Sequence, residues 1–477
     1  MKQYPLRNPA SSFRMWNEDG ILFDYKNKKL LTLNSVAAKI IQLSDGKTTL
    51  ENIIQEIAGE FNIDSSIVMA DTSDFFREMM VKDLLRLSDK KVEHGWKELL
   101  EAWKNIEPYS KESPVSAGVN VSSAKGGGEL LKKLTHDAEQ LLIPLQVILE
   151  LTYRCNLNCK HCYIENKIPN DLLKKEYFKL LDELAEMGTL EIVFTGGEPF
   201  LRKDFFHILE YARLLGFSCI IKTSGTLITE ENIETLAELF PHEVHVSLYS
   251  MNPEEHDFIT NTPGSFKKSK RIIELLAKRG IQVKISSALM KNTFHSAPLL
   301  LDFAGKVGAR IIFDLILVPG REGSSTPLQL AAGDAELKEI FSNPELTSII
   351  MGDDRYTSGN LELKTSWDTG DYMCGAGVVV AAVSPEGNVS PCTGMGLKLG
   401  NIKETSFKKI WHDSENIKML RGIKNIELKT CMKCFKKEFC TRCPGIALQE
   451  KGSLTEISPS SCLIAGYAIR KAGDQKR

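Results

Sequence analysis

Three cysteines fall within eight residues, Cys155-Asn-Leu-Asn-Cys159-Lys-His161-Cys162, directly after the apolar run QVILELT. No other feature constrains the chain as much. Three thiolates on one loop suit three irons of a [4Fe–4S] cube, whose protein-bound form usually has four Cys ligands. The fourth iron is then left free to bind a small chelating molecule. A structural zinc site is the competing reading, but such sites take four ligands, often in C-x2-C pairs. His161 is adjacent to Cys162 and poorly placed to share one ion with it. Three unrelated buried thiols are the remaining alternative.

The rest of the chain favours metal. There are eleven cysteines in 477 residues. In a reducing compartment they are better explained as metal ligands or catalytic groups than as disulfides. The N-terminus MKQYPLRNPASSFRMW has no apolar h-region, and no run approaches the ~20 apolar residues of a membrane span. A cytoplasmic protein without a membrane partner is expected. Hydrophobic content of 42% and charged content of 26% are ordinary for a soluble globular chain. The net charge of −2 argues against a nucleic-acid partner.

Residues 1–92 read as a small winged-helix-like module. Strand-like FRMW and GILFDY flank a turn at Glu18–Gly20, and LLTLN follows. Asn34 and Ser35 read as caps for VAAKIIQLS, which Asp45–Gly46 breaks. Thr48 with Glu51 reads as a capping box for a second helix, and FFREMMVKDLL as a third. Residues 93–143 read as an exposed helix, KVEHGWKELLEAWKN, and a Ser/Gly/Lys-rich tether. About 20 such residues span roughly 25 Å as random coil.

Residues 144–345 alternate strands and helices. The strand candidates are QVILELT, EIVFTG, SCIIKTS, EVHVSLY, QVKISSAL and RIIFDLIL, with helices such as YFKLLDELAEMG and SKRIIELLAKRG between them. This alternation predicts a parallel sheet, and six units predict an α/β fold with a partial (β/α)6 TIM-like barrel. Active-site residues are then expected at the C-terminal strand ends. Asp314 and Arg321, at the end of the last strand, are either substrate-facing or part of a solvated strand end. From 346 to 477 periodicity fades and cysteines dominate, so metal is expected to organise a segment with little apolar core. Cys219, inside an apolar strand, reads as a buried structural thiol.

CxxxCxxC after the first strand of a partial barrel resembles the radical S-adenosylmethionine (SAM) superfamily. The second strand ends in Thr195-Gly196-Gly197-Glu198-Pro199, which resembles that family's GGEP motif. Glycines permit close backbone approach, and the carboxylate suits the methionine ammonium. The resemblance implies cofactor contacts from Tyr163, Gly196, Gly197, Glu198, Thr223, Ser224 and Ser247. It also implies a cluster on Cys155, Cys159 and Cys162 that splits SAM to a 5′-deoxyadenosyl radical. No other catalytic residue is identifiable.

Cys374, Gly387 and Cys392 form one C-terminal element, and Cys431-x2-Cys434-x5-Cys440-x2-Cys443 with Cys462 another. A zinc ribbon separates its CxxC pairs by about 15–20 residues, so the five-residue gap is too short. The pattern resembles the SPASM extension of radical SAM enzymes, as do Leu399-Gly400-Asn401-Ile402 and Trp411. That resemblance implies two auxiliary [4Fe–4S] clusters, three in all. Cys374, Cys392 and Cys443 would hold one; Cys431, Cys434, Cys440 and Cys462 would hold the other. One auxiliary iron is then open. The family usually has three residues between the last two cysteines of the compact run, whereas here only Thr441 and Arg442 intervene. Sulfatase-maturing members often carry an aspartate after the second cysteine of the extension, and here Thr393 stands there.

The N-terminal module resembles PQQ-carrier-like leader-peptide recognition domains. A DNA-binding winged helix is the alternative, but the helices lack a basic cluster. The chain as a whole resembles radical SAM/SPASM maturases of ribosomally made peptides, such as sactisynthases and ranthipeptide synthases. This implies an oxidoreductase that forms sulfur-to-carbon thioethers in a precursor peptide, with a flavodoxin- or ferredoxin-type reductant. The alternatives are carbon–carbon or carbon–oxygen crosslinking, cofactor formation from a peptide, sulfatase maturation, and a peptide-binding electron-transfer protein without turnover.

Overall fold

The computed structural model describes residues 2–474 except 17, 28, 93–94, 110–121, 124–126, 169, 352–366 and 369. Most of the expected tether therefore lies outside the described residues. Among the described residues no helix is long and apolar enough to cross a membrane. The chain divides into two compact units. One comprises Met1–Leu134, Phe206–Ser218 and Glu238–His242. The other comprises Thr135–Phe205, Cys219–Ala237 and Glu243–Arg477.

In the first unit β1 (Tyr4–Arg7) pairs antiparallel with β5 (Leu85–Ser88). Strands β2 (Ser11–Trp16), β3 (Asp19–Asp24), β4 (Lys29–Leu33) and β6 (Ser122–Ser123) form an antiparallel sheet in that order. Helices α1 (Ser35–Leu43), α2 (Leu50–Phe61) and α3 (Ser65–Val81) pack their apolar faces into one core with Leu22, Leu33, Ile41, Ile53, Phe75 and Met79. Gly20 lies within β3 rather than in the turn. A Cβ there would sit 2.7 Å from that of Ala38, so the glycine lets α1 lie close on the sheet.

The capping expectations are half met. Asn34 caps α1, accepting from the Ala37 N–H at 2.9 Å. Thr49 rather than Thr48 caps α2, because Asp45 Oδ1 takes the Thr48 N–H at 3.0 Å and keeps Thr48 in the preceding turn. The third helix begins ten residues earlier than FFREMM suggests, capped by Asp64, and stops before β5. Helix α4 (Gly95–Asn105) is less exposed than expected, since Trp96, Leu100 and Trp103 are buried. Arg213, 2% exposed, donates to the carbonyls of Pro9, Ser11, Phe217 and Leu239 and to Ser12 Oγ at 2.6–3.2 Å.

In the second unit six strands run parallel in sequence order. They are β7 (Gln146–Glu150), β8 (Glu191–Thr195), β9 (Ser218–Thr223), β10 (Glu243–Ser247), β11 (Val283–Ala288) and β12 (Arg310–Asp314). These match the six strand candidates. Val147, Leu149, Ile192, Phe194, Ile221 and Val246 on these strands are buried. Helices such as Lys174–Glu186 and Ser265–Lys278 connect the strands. Cys219 is fully buried, as its apolar neighbours imply.

The C-terminal segment departs from expectation. Strand β13 (Val380–Val383) adds parallel to β7, and β14 (Asn388–Ser390) and β15 (Gly400–Asn401) extend the sheet to nine strands. The segment also has an apolar core of its own, with Met373, Met395, Leu420, Leu428 and Leu454. Trp411 is fully buried and donates from Nε1 to Leu142 O at 2.6 Å. Scattered small clusters, rather than a repeating period, hid this core in the sequence.

Candidate active site

The end of β8 lies directly on the backbone that leads into the cysteine loop. Gly197 N–H donates to Thr152 O at 2.6 Å and Glu198 N–H to Arg154 O at 2.8 Å. A Cβ on Gly196 would stand 2.4 Å from Thr152 O, and one on Gly197 would stand 2.1 Å from Arg154 O. Gly196 also has φ of +128°, which disfavours other residues. The two glycines therefore allow the close approach that holds the loop.

The loop itself is fixed by its backbone. Lys160 N–H donates to Ile259 O at 2.9 Å and Cys162 N–H to Cys159 O at 3.1 Å. Lys167 Nζ reaches Leu157 O at 2.6 Å. Cys155, Cys159 and Cys162 are partly buried free thiols, near enough that charges on Cys155 and Cys162 act on Cys159. Burial pushes all three thiols up, Cys159 to about 12. Thiols raised in this way ionise only beside strong cations, which iron supplies. Among the described residues no group of three or more His, Cys, Asp or Glu is arranged to hold a single metal ion. The donor set of three thiols fits the cluster.

Glu198 is fully buried at the mouth of β8. It accepts from Thr223 Oγ1 at 2.7 Å, Ser224 N–H at 2.9 Å, Ser224 Oγ at 2.7 Å and Phe200 N–H at 3.3 Å. Burial raises its pKa despite these donors, so a cationic partner would be favoured there. Thr223 and Ser224 are thus brought to Glu198 from the end of β9. Ser247, at the end of β10, hydrogen-bonds the side chain of Tyr249.

Sequence reasoning missed Tyr249. Its ring is edge-on to His161 at 4.7 Å and stacked with His256 at 5.5 Å. Burial is the main cause of its raised pKa, and charges on Cys159, Cys162 and Cys155 add to it. Nothing in VSLYS marks this residue. Glu150 was also missed, although an acidic residue ending the apolar run QVILE is a usable signal. It is 2% exposed and accepts from Tyr163 Oη at 3.0 Å. Tyr163 O in turn accepts from Arg321 N–H at 3.0 Å.

Lys222 on β9 and Asp314 on β12 have exposed side chains among crowded surroundings and lie within electrostatic reach of each other. Desolvation by the surrounding protein lowers the lysine and raises the aspartate.

The C-terminal cysteines fall into two neighbourhoods. Cys374 feels Cys392 and Cys443, and burial pushes Cys374 to about 12 and Cys392 to about 11. Cys440 feels Cys462, Cys431 and Cys434, and burial pushes it to about 11. Arg442, between Cys440 and Cys443, is 4% exposed and donates to Glu456 O at 2.7 Å.

Comparison with known proteins agrees with this arrangement. Residues 149–304 match the Radical SAM superfamily, 19–85 match coenzyme PQQ synthesis protein D, and 374–444 match the SPASM iron–sulfur cluster-binding domain. The AdoMet-dependent heme synthase of Oleidesulfovibrio alaskensis is 27% identical over 69% of this chain and 89% of its own length. The PqqA peptide cyclase of Xanthomonas campestris pv. campestris is 28% identical over 69% of this chain and 91% of its own length. Among solved structures, Streptococcus suis SuiB bound to precursor peptide SuiA aligns with a TM-score of 0.57 at 16% identity. The alignment covers 97% of this chain and 100% of that one. The structure anSMEcpe with bound AdoMet and Cp18Cys peptide aligns at 0.53 and 18% identity, covering 70% and 98%. These two likenesses establish the fold. Radical SAM and SPASM domains imply [4Fe–4S] clusters and SAM as cofactors. The chain therefore carries a radical SAM domain, with a PqqD-like domain before it and a SPASM domain after it.

Proposed function

We propose that this chain is a maturase of a ribosomally made precursor peptide and forms sulfur-to-carbon thioether crosslinks. The observation that carries the thioether reading is the division of the C-terminal cysteines. Cys374, Cys392 and Cys443 form a group of three, which leaves one position of a four-iron cluster for a substrate thiolate. Cys431, Cys434, Cys440 and Cys462 form a complete set of four.

Cys155, Cys159 and Cys162 would hold the first cluster. Glu198, oriented by Thr223 and Ser224, would take the cofactor's ammonium, with Gly196, Gly197, Ser247 and Tyr163 around it. When bound, cluster and SAM supply a 5′-deoxyadenosyl radical able to remove hydrogen from an unactivated C–H bond. The chain's own part is to hold the acceptor carbon there and exclude water. Lys222 and Asp314 offer a cation and an anion to a polar peptide group, and Asp314 is suited to accept the thiol proton. The crosslink joins sulfur to carbon with loss of a hydrogen atom from the carbon and a proton from the thiol, and the one electron left over would pass back to an iron–sulfur cluster.

The PqqD-like module supports a peptide substrate over a porphyrin, despite the similarity to a heme synthase. A leader adding as a strand beside β4 would take the place of β6. The electrons would come from a flavodoxin- or ferredoxin-type partner. The similarity to a peptide cyclase supports carbon–carbon crosslinking as the second reading. Mass spectrometry of the precursor, co-expressed with this chain, separates the two. Thioethers remove two hydrogens per link and block alkylation of the peptide's cysteines. Loss of hydrogen with all cysteines still alkylatable supports carbon–carbon bonds.

A further inference from the structure

The loop after β12 carries Arg321, whose guanidinium reaches towards both cysteine neighbourhoods. Its Nη2 donates to both oxygens of Glu150 at 2.8 Å and to Thr393 O at 3.5 Å. Its backbone N–H donates to Tyr163 O at 3.0 Å, and its guanidinium lies 4.9 Å from the Tyr163 ring centroid. Tyr163 directly follows Cys162, and Thr393 directly follows Cys392. One arginine is therefore bonded to the residue after a cysteine in each group, through its backbone at Tyr163 and its guanidinium at Thr393. Its counter-charge, Glu150, is 2% exposed and is also held by Tyr163 Oη.

We propose that the Arg321–Glu150 pair is a shared positioning element that fixes the Cys155–Cys162 loop against the Cys392 segment and balances the charge at both. This rests on the reading that the two cysteine groups hold clusters. A cation beside a cluster favours its reduced, more negative state, and a carboxylate disfavours it. Burial works against the Arg321 charge, but Glu150, Tyr163 and Tyr153 outweigh it, so the guanidinium stays charged. Paired, the two charges nearly cancel; removing Arg321 alone leaves a buried, uncompensated carboxylate between the two sites.

The test is an anaerobic redox titration of the reconstituted holoenzyme, followed by electron paramagnetic resonance. R321Q should shift the potentials of the first cluster and the Cys392 cluster to more negative values. E150Q should shift both to more positive values, and the double variant should return towards wild type. R321K, which keeps the charge, should stay closer to wild type than R321Q. Should R321Q fail to fold, E150Q carries the test alone. Cluster signals whose potentials do not move in E150Q or R321Q overturn this proposal while leaving the cluster assignment standing. Wild type without [4Fe–4S] signals overturns both.

Discussion

Ser224 holds Glu198 through two bonds to one oxygen, from its N–H at 2.9 Å and its hydroxyl at 2.7 Å. The carboxylate is thereby aimed by β9 although it belongs to the end of β8. S224A removes the hydroxyl bond and leaves the backbone bond. SAM binding to anaerobic, reconstituted enzyme should weaken by about 1 kcal/mol, roughly fivefold. Unchanged affinity would place the cofactor's ammonium elsewhere.

The two glycines before Glu198 give a sharper contrast. G197A sets a methyl 2.1 Å from Arg154 O, a backbone atom that cannot move without displacing the Cys155 loop. A loss of at least ~3 kcal/mol is expected, together with loss of the first cluster's iron. Gly59 is exposed within α2, with nothing within 4 Å of its Cβ direction. G59A should be neutral or stabilising by up to ~1 kcal/mol. Iron analysis and denaturant titration of both variants check this.

Much of this site is legible in the amino-acid sequence. The cysteine spacings and the Gly196–Glu198 run locate it, and strict strand–helix alternation implies the parallel sheet. The features that sequence does not disclose have physical causes. Thr48 and Thr49 are equivalent as letters, and only the Asp45 side chain decides which one caps α2. Strand β13 is four residues long, and its place beside β7 is a long-range choice that no local period encodes. Tyr249 meets the cysteine loop only through the return of β10, and Arg321 meets Glu150 across 171 residues of chain.

His256 predicts a pH dependence. Its ring is 1% exposed, and burial pushes it down to about 4, while Nδ1 accepts from the Tyr249 N–H at 3.2 Å. In the unfolded chain its pKa is about 6.5. Between those values the unfolded state binds a proton that the folded state refuses. Stability must therefore fall as pH drops below about 6.5, approaching ~1.4 kcal/mol per pH unit through this group. The stability difference between wild type and H256Q should narrow by about 1 kcal/mol from pH 6.5 to 5.5. A difference independent of pH would show that the ring titrates normally.

Arg213 predicts a structural effect within the first unit. R213M strands six acceptors, four main-chain carbonyls and the hydroxyls of Ser12 and Tyr25. A loss of roughly 3 kcal/mol is expected, since an unsatisfied buried acceptor costs about 1–3 kcal/mol and some will find water. Anaerobic denaturation should show it, with R213K recovering only part because a single ammonium cannot reproduce the fork.

The direct trial of the whole account is anaerobic incubation with SAM and dithionite, comparing wild type with a variant in which Cys155, Cys159 and Cys162 are all alanine. Wild type should release 5′-deoxyadenosine. The variant should release none while keeping about two thirds of the iron, that of two cubes out of three. A variant with undiminished iron and an unchanged yield of the nucleoside would contradict the account.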